Sequence, residues 1–141
     1  MSLMTAMQIS SSGMSAQRQR LEIIASNLAN SNTTRTAEGG PYRKRDVIFS
    51  AAPVGESFSA ALDRAVRGVE VSEVVEIQEP PLLRYDPAHP DANQAGYVEL
   101  PNINPLEETI NMISATRSFE ANLAVFNSAK DMARSSMEIL R

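Results

Sequence analysis

Asn104-Pro105-Leu106-Glu107, followed through Arg141 by no further Gly or Pro, is the stretch that decides the fold. Asn at the N-cap, Pro at the first helical position and Glu two positions later form a strong helix start. Beyond it, Met112, Thr116, Phe119, Leu123, Phe126, Lys130, Ala133, Met137 and Leu140 recur at alternating spacings of four and three, a heptad seam over four repeats. A helix over 105–141 would be about 55 Å long. That length exceeds any core a chain of 141 residues can wrap around it. The flanks of the seam are Ile113, Ala115, Asn122, Asn127, Ala129 and Ser136, not the paired Glu and Lys of a dimeric zipper. A second apolar row, Ile110, Ile113, Ala121, Val125, Met132 and Ile139, predicts packing from more than one side.

The opposite end of the chain has a matching pattern. Met7, Met14, Leu21 and Leu28 recur every seven residues, and Ile24 and Ala25 widen the stripe, which predicts a helix from about residue 3 to 30 with Gly13 as a weak point. The cluster Asn27, Asn30, Ser31, Asn32, Thr33 and Thr34 ends it, because these side chains compete for backbone hydrogen bonds. All eight prolines lie between Pro41 and Pro105, whereas all seven methionines lie in 1–14 or 112–137, where flexible thioethers fill irregular helix interfaces. Between the helices, Tyr42–Phe49, Val69–Ile77 and Gly96–Leu100 read as short strands, and Phe58, Ala61, Leu62, Ala65 and Val66 have the spacing of a short helix. The expected fold is therefore mainly α. Long terminal helices, within 1–34 and 105–141, pair as a coiled coil around a β-rich, irregular insert at 35–104.

The residue inventory points away from catalysis. With no Cys and a single His there is no disulfide framework, no thiolate nucleophile and little acid–base chemistry near neutral pH, so no cofactor or metal is expected. The run from Asp91 to Gly96 opens like a calcium loop but lacks oxygen at its fifth position, Ala95, and a carboxylate at its twelfth, Asn102. It reads instead as a glycine turn before a strand. His89, between Pro87 and Pro90, lacks the helical spacing that converges metal ligands. Asn32-Thr33-Thr34 matches a glycosylation acceptor, a pattern common by chance. The net charge of −4 is concentrated in the middle, leaving both ends nearly neutral, which disfavours nucleic acid and suits crowded helices. The basic run Arg43, Lys44 and Arg45 is a candidate for contacts with acidic residues of a neighbouring copy. The first basic residue is Arg18 and the opening apolar residues are interrupted, so no secretory signal or membrane-inserting span is expected.

Two runs carry a family resemblance. Ser15-Ala16-Gln17-Arg18-Gln19-Arg20-Leu21, followed by Ala25-Ser26-Asn27-Leu28-Ala29-Asn30, resembles the N-terminal signature of bacterial flagellar rod and hook proteins. Glu108-Thr109-Ile110-Asn111-Met112-Ile113, then Arg117-Ser118-Phe119-Glu120-Ala121-Asn122, is similar to their C-terminal signature. Gly40-Pro41-Tyr42-Arg43 and the segment from Tyr85 to Asn102 resemble the proximal-rod members, although Thr33-Thr34-Arg35-Thr36 departs from the wider family's loop. The resemblance implies a non-enzymatic subunit of the flagellar rod, the hollow shaft that spans the periplasm and carries torque from the inner-membrane ring to the hook. It also implies export through the flagellar type III apparatus without a cleaved signal. The implied partners are copies of itself, proximal and distal rod subunits and the rod-to-ring junction protein. Asn27, Leu28, Asn30, Arg117, Glu120 and Asn122 carry its motifs. The expected packing sets Phe119, Leu123, Phe126 and Met137 against Met14, Leu21, Ile24 and Leu28, with Met7, Ile110, Met112, Ile113 and Leu140 completing the interface. A soluble coiled-coil adaptor or secretion chaperone is the rival that heptads alone would allow.

Overall fold

The computed structural model describes residues 2–53 and 67–139. The short helix expected around Phe58–Val66, and Leu140 in the seam, lie outside the described residues.

Helix α1 (Leu3–Ala29) starts where Ser2 caps it, the Ser2 hydroxyl accepting from the Met4 N–H at 3.3 Å. It stops at Asn30, whose side-chain amide turns back to the Ser26 carbonyl at 2.9 Å, in competition with further helical turns. Strand β1 (Arg45–Pro53) pairs antiparallel with β2 (Arg67–Glu76), and β3 (Leu82–Tyr85) with β4 (Tyr97–Leu100), in two separate two-stranded sheets. Helix α2 (Pro105–Ile139) follows, with the Asn104 carbonyl oxygen of its side chain accepting from the Leu106 N–H at 3.1 Å, the N-cap that the sequence signals.

The insert owes its shape to specific local contacts. A bulge between Ile48 and Phe49 leaves Ser72 unpaired in the ladder, and its hydroxyl donates instead to the Ile48 carbonyl at 3.0 Å. The hairpin lies along α1, where the Val69 N–H donates to the Ser12 hydroxyl at 3.1 Å. Strand β3, which the sequence did not announce behind Pro80-Pro81, forms because β4 offers it a partner. In the loop between them, Asn93 Oδ1 accepts from the N–H groups of both Ala95 and Tyr97 at 3.0 Å. Gly96 sits at φ +81°, and a Cβ there would come within 2.9 Å of the Tyr85 ring, so both backbone angle and space require glycine. Val98 and Ile103 are buried beneath this segment.

The two helices pack against each other. Asn27 meets Glu108 and Gly13 meets Asn122, so they run antiparallel. Their contact line corrects the expected seam. Met112, Phe119, Phe126 and Ala133 are partly covered as expected, but the companion row is Glu108, Ala115, Asn122 and Ala129, not Thr116, Leu123 and Lys130, which face outward. Three residues read as flanks, Ala115, Asn122 and Ala129, thus lie in the seam, while the other three, Ile113, Asn127 and Ser136, are exposed. On α1 the buried row is Ser10, Gly13, Ala16, Ile24 and Asn27, while Met7, Met14, Leu21 and Leu28 are half-covered and Ala25 is exposed. The reason is steric: small residues let two backbones approach closely, and large ones at the same places would hold them apart.

Gly13 is a point of close contact in the pair, where a Cβ would stand 2.9 Å from Asn122 Nδ2. Gly13→Val should destabilise the chain by about 1–3 kcal/mol through overpacking, measured by guanidinium unfolding followed by circular dichroism. Asn122→Ala in the same chain should recover a large part of that loss.

Candidate functional site

At the end of the helix pair joined to the insert, five residues from α1, the segment leading into β1, β1 itself and α2 meet. Asn27, near the C-terminus of α1, is 1% exposed and its amide is saturated. Its Nδ2 donates to the Arg45 carbonyl at 2.7 Å and to Glu108 Oε2 at 3.1 Å, and its Oδ1 accepts from the Tyr42 hydroxyl at 3.1 Å and the Arg45 N–H at 3.0 Å. A carboxamide is the one neutral side chain with two donors and two acceptors, which is why Asn fits and Asp or Leu would not. Arg45 opens β1, so the Asn27 amide ties the end of α1 to the first residue of the sheet. The Arg45 guanidinium lies over the Tyr42 ring, 5.4 Å from its centroid.

Glu108, in the first turn of α2, is 1% exposed, and its other oxygen lies 2.9 Å from Lys44 Nζ. A buried carboxylate stays charged only if it is paired, and Lys44 with Asn27 supplies the pairing. The helix N-terminus adds favourable field, since negative charge is stabilised in a first turn. Burial opposes the charge on Lys44, but the hydrogen bond and attraction of Glu108, with Glu107 and Asp46 farther off, outweigh it and hold the Lys44 pKa above its ordinary value.

The residues named from sequence divide by where the structure places them. Asn27, Ile24, Asn122 and Lys44 converge on the helix pair and its polar end, and Asn30 closes α1. Met7, Met14, Leu21, Leu28, Met112, Phe119 and Phe126 border the seam and are half-covered. Ile110, Ile113, Leu123, Val125, Met132 and Met137 face away from α1, Met137 being 70% exposed. Arg117 and Glu120, on the same helix, are exposed, as is Arg43 in the basic run, whose middle member Lys44 spends its charge inside the chain. Glu108 was missed as a buried residue: in sequence it is one more acidic residue in a first turn, and its partner Asn27 lies eighty-one residues away. The Asp91 carboxylate, first residue of the calcium-like run, accepts from the Thr34 hydroxyl at 2.8 Å. Among the described residues no group of three or more His, Asp or Glu is placed to hold a metal, and no helix is long and apolar enough to cross a membrane.

Two family models fall on the two halves of this arrangement. "Flagella basal body rod protein" matches residues 7–35, on α1 and the turn after it, and "Flagellar basal body rod FlgEFG protein C-terminal" matches residues 94–139, on β4 and α2. The chain belongs to the flagellar basal-body rod protein family, whose members are structural and not enzymes. Relatives named flagellar basal-body rod protein FlgC match it end to end: 42% identity in Borreliella burgdorferi, covering 100% of this chain and 99% of the relative. The Bacillus subtilis protein is 41% identical with 95% of each chain covered, and that of Salmonella typhimurium 39% with 94% and 93% covered. The chain is a structural subunit of the flagellar basal-body rod and works among other basal-body components.

Removing the Glu108 carboxylate strands a buried Asn27 N–H and takes the partner from the partly exposed Lys44, so Glu108→Ala should destabilise the purified chain by about 1–3 kcal/mol in denaturant unfolding. The pH dependence has a definite sign. Because the Lys44 pKa is raised on folding, its contribution is complete below the unfolded lysine value and is lost as pH rises through the folded one. Comparing unfolding free energies of the native chain and Lys44→Met should show a constant difference at neutral pH that shrinks only in the alkaline range.

Proposed function

We propose that the chain is a proximal-rod subunit whose terminal helices pair as a coiled coil and form the inner wall of a hollow shaft, while the 35–104 insert grips neighbours outside. The unmatched outer face of α2 supports this most directly. Ile110, Ile113, Val125 and Met132 are each more than half exposed along one helix, an apolar stripe that monomeric proteins seldom leave bare. The accessible surface is 10020 Å², whereas a compact monomer of 15.4 kDa would expose about 7,200 Å². Surface of this kind becomes stable once neighbours cover it.

The division of labour follows from the side chains. Segments 1–34 and 105–141 supply the packing residues: Met7, Met14, Leu21, Ile24 and Leu28 on one helix, Met112, Phe119, Phe126 and Ala133 on the side of α2 that meets it. Ile110, Ile113, Leu123, Val125 and Met137 are the face for adjacent copies and for the proximal and distal rod subunits. Arg43 and Arg45 reach for acidic groups on a neighbour, or on the rod-to-ring junction protein. Rigid helices clamped on several sides transmit torque because no single contact carries the load. Before assembly, a chain with no Cys to crosslink and helices whose ends fold only on each other suits export in unfolded form through the flagellar type III apparatus.

The test separates folding from assembly. Ile113→Asp with Val125→Asp places charges on the outward face, so the unfolding midpoint of the isolated chain should move by no more than the roughly 0.5 kcal/mol typical of surface changes. In cells carrying only that variant, incorporation into basal bodies and swimming should be lost. Normal motility would defeat the reading.

A further inference from the structure

The helix pair contains an ambiguity that its small residues cannot resolve. Asn27 and Gly13 are fourteen residues apart on α1, and their counterparts Glu108 and Asn122 are fourteen apart on α2. The same steps set Arg20 opposite Ala115 and Ala6 opposite Ala129. On α2 the contact row Ala115, Asn122 and Ala129, and the bordering row Met112, Phe119, Phe126 and Ala133, both repeat every seven residues. Sliding α2 by one heptad, about 10.5 Å, would again put Ala, Asn or Ser in the contact row and Met or Phe beside it, except where Ala133 falls. The four residues between Leu100 and Pro105 are long enough for this, spanning up to about 14 Å when extended, at the cost of the buried place of Ile103. Apolar packing is therefore nearly degenerate between registers.

The polar cluster is not. Asn27, Tyr42 and Arg45 are joined by bonds reaching only fifteen to eighteen residues along the chain, so they form a socket complete except for one acceptor. Glu108 supplies that acceptor and the counter-charge for Lys44. In a register shifted by seven, the socket would face Ala115 or the segment before α2, leaving an Asn27 N–H and the Lys44 ammonium without Glu108. We propose that this socket selects the register of the terminal helices: Glu108 is the key that admits one alignment out of several that packing alone would allow. A single buried polar partner at a seam position is known to fix register in this way.

The chain has no cysteine of its own, so introduced pairs report alignment cleanly. In the purified full-length chain, Ala6→Cys with Ala129→Cys should form an intramolecular disulfide, while Ala6→Cys paired with Asn122→Cys or with Ser136→Cys should not. Replacing key and counter-charge together by apolar residues, Glu108→Leu with Lys44→Met, should raise the two shifted disulfides by about tenfold or more while helicity is kept. Moving the key by one heptad, Glu108→Ala with Ala115→Glu, should transfer the crosslink to the Ala6/Ser136 pair. Native-pair crosslinking alone in the first variant, or a re-keyed chain that crosslinks only at the native pair or at none, would overturn the proposal.

Discussion

The buried carboxylate of Glu108 is the constraint on which the rest of the molecule turns. A charge placed out of water must be met by an opposite charge and by hydrogen-bond donors, and the chain provides these from two separate places, α1 and the start of the insert. Once Glu108 is satisfied, the first turn of α2, the last turns of α1 and the start of β1 cannot be positioned independently. The saturated Asn27 amide carries the constraint onward, because its two bonds to the Arg45 backbone treat the helix end as if it were another strand residue. The hairpin then lies along α1, where Ser12 holds Val69.

What could be read from the sequence was what local chemistry determines. Ser and Asn at helix ends, Pro105 at a first helical position and the Gly/Pro-rich middle are signals within a few residues of the structure they specify, and the helix limits followed them. The rotation of the seam was harder to see. Hydrophobicity ranked Leu123 and Met137 above Ala115 and Ala129, but it is the two alanines that are buried between the helices, while Leu123 and Met137 stay exposed. Hydrophobic periodicity gives the faces of a helix without saying which face its own chain will cover. Strand β3 went unseen because four residues behind two prolines acquire strand geometry only from pairing with β4. The polar cluster was least visible of all, since Asn27 had a local explanation as a helix terminator and Glu108 another as a first-turn acid.

Gly13 and Glu108 are opposite solutions to packing the same pair of helices. At Gly13 the absence of a side chain lets Asn122 approach, and the gain is contact. At Glu108 a charged side chain is admitted at a cost in desolvation, and the gain is specificity. A seam made only of the first kind would be tight but indifferent to sliding; one made only of the second would be costly to bury. The outward rows of α2 need neither device within the chain, since α1 does not cover them.

The antiparallel pair also determines how the chain bears force. Its N-terminus and the far end of α2 lie together at one end of the pair, and both junctions with the insert lie at the other, with β1 and β2 running back along α1 toward Ser12. A pull entering at those junctions and leaving at the open end stretches two covalent backbones side by side. It does not drag one helix past the other, so the contacts at Gly13 and Ala115 are spared shear.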